Sequence, residues 1–102
     1  MEDLVYRHQG LKRAAGAKAL AIVGVVASGN LEVMAERQLP DSECLIEIRT
    51  AAVGFGDVWQ AVVADFVERS SPGGVKFSIN DGGARPDVVS LRLAQALRLM
   101  EG

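Results

Sequence analysis

Between Leu31 and Val67 the spacing of the apolar residues changes from two to about 3.6, and the same change occurs again between Val75 and Met100. A chain patterned this way has to combine strands with helices. Leu31, Val33 and Ala35 alternate with Glu32, Met34 and Glu36, and Cys44, Ile46, Ile48 and Thr50 alternate with Leu45, Glu47 and Arg49. Each run reads as a strand with one buried face. Phe55, Val58, Trp59, Val62, Val63, Phe66 and Val67 then recur at helical spacing, which predicts an amphipathic helix with all seven along its core-facing stripe.

Ser70, Ser71, Pro72, Gly73 and Gly74 end that helix, and Val75, Phe77 and Ile79 alternate with Lys76, Ser78 and Asn80 as a further strand. Asn80 to Gly83 supply a turn. Pro86 suits a first helical turn, where its missing N–H costs nothing, and Val89, Leu93, Ala96, Leu97 and Met100 mark the inward face of a second helix. Upstream, Ala17 to Ala27 is a small, apolar, Val- and Ile-containing run, predicted to be a strand covered on both faces. With the strand from Leu31 it makes a hairpin whose turn is Ser28, Gly29 and Asn30, with Ser28 at the tip. Leu4 to Tyr6 is a short strand, Gly10 to Gly16 a basic loop, and residues 37–43 a polar turn. The predicted fold class is α+β: an antiparallel sheet of four to five strands with two helices packed on one face.

A length of 102 residues with 49% hydrophobic content suits one domain, residues 1–102, with residues 1–16 as a short strand and basic loop. The net charge of -2 argues for no nucleic-acid partner. Arg7, Lys12, Arg13 and Lys18 read as a solvated terminal arm, since no aromatic residues interleave with them. The apolar run from Ala19 to Ala27 falls short of the roughly 20 residues a membrane span needs, so no membrane insertion is expected. Cys44 is the one cysteine and His8 the one histidine, which fits a reducing, cytoplasmic setting and leaves no multi-cysteine metal site.

The sequence carries no set of residues that makes a self-contained active site. There is no HExxH, no phosphate-cradling GxxxxGK[ST] and no Cys/His or Ser/His/Asp set. Val53-Gly54-Phe55-Gly56-Asp57 reads as flexibility ahead of a helix, and Glu32 with Glu36 as a solvated strand face. The feature a packed domain does not need is the Ser28 hydroxyl at a hairpin tip beside Gly29. Residue chemistry alone places it there and assigns it no role.

Val26-Ala27-Ser28-Gly29-Asn30-Leu31-Glu32-Val33 resembles the small-residue, Ser-Gly-Asp, hydrophobic-Glu-Val stretch of malonate decarboxylase acyl carrier (delta) subunits. In the same register, Ile48-Arg49-Thr50 is similar to that family's third strand and Trp59 to its helix tryptophan. Ile79-Asn80-Asp81-Gly82-Gly83-Ala84-Arg85-Pro86 resembles its Asp-x-Gly-Ala-Thr-Pro turn, and Val89, Arg92, Leu93 and Gln95 its closing helix. The resemblance spans about residues 17–100. Asn30 stands where Asp is usual, and Arg85 where Thr usually precedes the proline.

The resemblance implies that Ser28 carries a covalent 2'-(5''-phosphoribosyl)-3'-dephospho-CoA group, with Gly29 and Asn30 forming the turn that presents it. It implies a carrier without catalytic residues of its own, holding acetyl and malonyl thioesters while malonate is converted to acetate and carbon dioxide. The implied partners are the acyl transferase and decarboxylase subunits, a prosthetic-group transferase and a malonyl transferase. Two alternatives stand beside it: a citrate lyase carrier, which uses a similar group, and a non-catalytic interaction subunit with no covalent cofactor.

Overall fold

The computed structural model describes the backbone of residues 1–25 and 28–102, and the side chains of these except at positions 25 and 28–30. In chain order the elements are β1 (Glu2–His8), β2 (Leu20–Val25), β3 (Ser28–Arg37), β4 (Cys44–Thr50), α1 (Gly56–Ser70), β5 (Val75–Asp81) and α2 (Pro86–Glu101). The five strands form one sheet in the order β1-β4-β5-β3-β2.

The expected α+β class is present, with one departure from an all-antiparallel sheet: β4 and β5 run parallel. The cause is the element between them. A hairpin reverses direction, whereas α1 carries the chain back along the sheet, so β5 starts from the same end as β4. The other three pairings are antiparallel.

The alternating residues face the core as their period requires. Leu31, Val33, Ala35, Cys44, Ile46, Ile48, Val75, Phe77 and Ile79 are buried. From the helices, Trp59, Val63, Phe66 and Val67 of α1 and Val89, Leu93, Ala96, Leu97 and Met100 of α2 close over them. Phe66 meets Phe77 edge to face, with ring centroids 5.4 Å apart, tying α1 to the central strand.

Four expectations are corrected. Phe55 and Val58 do not join the core stripe: they are 51% and 44% exposed. Helix α1 starts at Gly56, so Phe55 precedes it, and Val58 lies on a face of the first turn that α2 leaves uncovered. Strand β2 is not covered on both faces. It is an edge strand in which Ala21 is buried but Leu20 and Ile22 are half exposed; the outer face is apolar without being covered.

The basic N-terminal segment is not a loose arm. β1 pairs with β4 along seven residues, from Glu2 opposite Thr50 to His8 opposite Cys44, and Leu4 and Tyr6 pack against the core. The Tyr6 hydroxyl donates to the Gly56 carbonyl at 2.9 Å. After β1, the Leu11 N–H donates to Ser42 O, and Lys12 and Ala14 exchange backbone hydrogen bonds with Gly73.

Arg37, expected in a polar turn, is instead the last residue of β3. Its guanidinium donates to the carbonyls of Ala14 (2.7 Å), Ala15 (2.9 Å), Lys18 (3.0 Å) and Met100 (3.2 Å). One side chain thereby fastens the 14–18 loop and the end of α2 to the sheet, using the five-donor fork that only arginine has.

Candidate functional site: the sheet end that carries Ser28

The two helices both begin at one end of the sheet. There β4 ends at Thr50 and β5 at Asp81, the two are register partners, and Leu31 of β3 pairs with Asp81 from the other side. Ser28 lies on β3 three residues beyond Leu31 and outside the β3–β5 pairing. At ~3.4 Å per residue that is about 10 Å past the last β5 partner. On the other side Ser28 pairs with Val25 of β2.

The turn expected at Ser28, Gly29 and Asn30 is displaced. All three fall within the span of β3, and the hairpin connection, residues 26–27, lies outside the described residues. A signal was present in the sequence, for Gly24 interrupts the Val- and Ile-containing run. The register shifts there: Val23 faces Val33, whereas Val25 faces Ser28. Gly24 has φ 73°, in the region L side chains rarely adopt. A Cβ at Gly24 would lie 2.6 Å from Leu31 O and would collide with the Arg92 guanidinium of α2. The close approach needs a residue without a side chain, and it packs α2 against the base of the hairpin.

Asp81 organises the neighbouring corner. Its Oδ2 accepts from the Thr50 hydroxyl at 2.7 Å and its Oδ1 from the Ala84 N–H at 2.7 Å. Thr50 Oγ1 in turn accepts from the Ala52 N–H at 3.1 Å. Together these fix both chain exits, from β4 towards α1 and from β5 towards α2. Arg85 stands at the N-cap of α2 without a side-chain cap, since a guanidinium has no acceptor to offer, and pairs instead with Asp87 at 3.4 Å on the surface.

Between the first turns of the helices lies a largely apolar pocket of about 330 Å³, bordered by Phe55, Val58, Trp59, Val62, Pro86 and Val89. The exposed residues Phe55 and Val58 thus have a place: they form its open side.

The register sets His8 opposite Cys44, a neighbourhood that sequence spacing does not show. It does not make a nucleophilic pair. Cys44 is 2% exposed, and burial pushes its thiol up to about 12, opposite to the direction that activates a cysteine. Among the described residues no group of three or more His, Cys, Asp or Glu side chains could hold a metal ion. No helix among them is long and apolar enough to cross a membrane.

Comparison with known proteins bears on this arrangement. Residues 18–100 match the family model of the malonate decarboxylase delta subunit. A "malonate decarboxylase acyl carrier protein" of Bradyrhizobium diazoefficiens is 74% identical over 98 residues, 96% of this chain and 93% of the relative. One of the same name from Xanthomonas euvesicatoria pv. vesicatoria is 54% identical over 102 residues, all of this chain and 97% of the relative. A chain in the crystal structure of a Pseudomonas malonate decarboxylase hetero-tetramer in complex with malonate superposes with a TM-score of 0.84 at 32% identity, covering 98% of this chain and 99% of that one. This chain therefore belongs to the malonate decarboxylase delta-subunit family.

Proposed function

We propose that this protein is the acyl carrier subunit of a malonate decarboxylase, and that Ser28 is the residue to which its prosthetic group is attached. The observation that carries this is the position of Ser28: a primary hydroxyl on β3, beyond the β5 pairing, in a chain of the delta-subunit family. The strand that carries it is paired with β5 on one side and β2 on the other.

The group we assign to Ser28 is phosphoribosyl-dephospho-CoA, joined through phosphate. In the attachment the Ser28 oxygen forms a new bond to phosphorus. Pyrophosphate leaves with the electrons of the broken P–O bond, and the hydroxyl proton passes to the transferase. The donor set fits, because a serine oxygen is all the chain must provide; activation belongs to the enzyme that acts on it. When bound, the group would supply a thiol that carries acyl groups as thioesters, the chemistry that makes loss of carbon dioxide easier than from the free acid.

The chain's own part is mechanical. Strand pairing with Val25 ties the Ser28 backbone to the sheet, the Thr50–Asp81 corner fixes the loops where β4 and β5 end, and the tether would keep the reacting end at high local concentration near partner subunits. Those partners are an acyl transferase, a decarboxylase, the attaching transferase and a malonyl transferase that loads the system. The setting is cytoplasmic, and catalysis resides in the partners.

Replacing Ser28 by Ala in the reconstituted complex tests this. Turnover of malonate is expected to vanish while the subunits still assemble. Retained turnover would make the chain a plain interaction subunit.

A further inference from the structure

We propose that the apolar pocket between the first turns of α1 and α2 is the resting site for the thiol-bearing end of this protein's own arm. The inference rests on Ser28 as the attachment point, and it goes on to say where the free end of the arm goes between visits to partner subunits.

Pocket and attachment point lie close together. Asp81 lines the pocket and is the register partner of Leu31, three residues along β3 from Ser28. Attachment point and pocket therefore share one end of the sheet, separated by roughly 10 Å of strand at ~3.4 Å per residue plus the width of a neighbouring strand, ~4.8 Å. The arm, which contains a phosphoribosyl unit, a nucleotide and a pantetheine chain, is longer than that. A tethered group within reach has an effective concentration of order millimolar, so even a weak site is occupied.

Shape and charge also suit the arm. About 330 Å³ of concave, mainly apolar surface is the form of a small-molecule site, whereas protein interfaces are broader and flatter. The dimethyl segment and thiol of a pantetheine chain suit the surface formed by Val58, Trp59, Val62 and Val89. Arg85 also borders the pocket, with its side chain 82% exposed and, among the described residues, paired to the exposed Asp87 at 3.4 Å. A guanidinium so placed complements the phosphates of the arm.

The molecule supplies its own reporters. Trp59 is the one tryptophan and lines the pocket. Cys44 is 2% exposed, so the arm's thiol is expected to be the one that reacts in the native carrier.

The test compares apo and holo carrier, loading at Ser28 being confirmed by intact mass and peptide mapping. The arm thiol's rate with a disulfide reagent is measured against free coenzyme A, and Trp59 emission is recorded for both forms. The holo thiol is expected to react at least threefold more slowly than free coenzyme A, with a change in Trp59 emission on loading. Val58→Glu and Phe55→Ser, both at exposed positions that leave the core intact, are expected to restore the rate of free coenzyme A. A Ser28 that is never loaded would remove the proposed function and this inference with it. A loaded Ser28 with the thiol rate of free coenzyme A and unchanged Trp59 emission would overturn the inference alone. The same result accompanied by slowed turnover in both variants would assign the pocket to a partner subunit and also overturn it.

Discussion

The Thr50 hydroxyl donates to Asp81 Oδ2 at 2.7 Å across the parallel pair β4 and β5, with Thr50 fully buried and Asp81 7% exposed. A buried carboxylate oxygen deprived of its donor costs more than the bond itself contributes. Thr50→Val, nearly the same shape, is expected to lower stability by about 2 kcal/mol. Asp81→Ala also frees the Ala84 N–H and is expected to cost about 3 kcal/mol. Denaturant melts read both, and a loss below about 0.5 kcal/mol in each would show that the corner is not held this way.

Gly24 is a backbone requirement. Its φ of 73° and the close approach of Leu31 O leave no room for a Cβ. Gly24→Ala is expected to cost about 2 kcal/mol and to raise hydrogen exchange along β2 and the start of β3. An equally stable variant with unchanged exchange would refute the requirement.

Arg37→Met removes four hydrogen bonds to carbonyls while keeping much of the aliphatic stem. The expected loss is about 2 kcal/mol, with faster exchange in residues 14–18 and at the end of α2. Arg37→Lys is expected to recover only part of this, because an ammonium cannot span the same carbonyls.

Cys44 gives a pH signature. Burial pushes its thiol from 9.0 up to about 12, so between these values the unfolded chain has lost a proton that the folded chain retains. Stability contributed by the neutral buried thiol is complete below pH 9 and falls as pH rises towards 12. Cys44→Ala is expected to be less stable at pH 7 but to show a shallower decline from pH 9 upwards, as followed by urea midpoints across the range. Identical slopes for the two proteins would contradict the burial argument.

What the sequence made legible was whatever follows from period. The buried faces of β3, β4 and β5 and the inward stripe of α2 are set by alternation and helical spacing, and the residues named from them are the buried ones. Strand order is a different kind of fact. Nothing local tells Cys44 to pair with His8, or makes β4 parallel to β5, because those choices belong to the whole sheet. Apolar composition also cannot separate burial from a half-open surface, which is why Leu20, Ile22, Phe55 and Val58 stand more exposed than their type suggests. Arg37 was invisible for a related reason: its carbonyl partners come from the 14–18 loop and from Met100, far away in sequence. Ser28 lies between these cases. Its place near a hairpin junction was readable from Gly, Asn and the flanking apolar runs, but the chemistry proposed for it rests on family resemblance.

The most direct test of the central claim is the intact mass of this protein co-expressed with its prosthetic-group transferase, followed by peptide mapping. The expected result is a single addition with the mass of a phosphoribosyl-dephospho-CoA group, located on Ser28 and absent from Ser28→Ala. An unmodified chain, or an addition at any other residue, would contradict it.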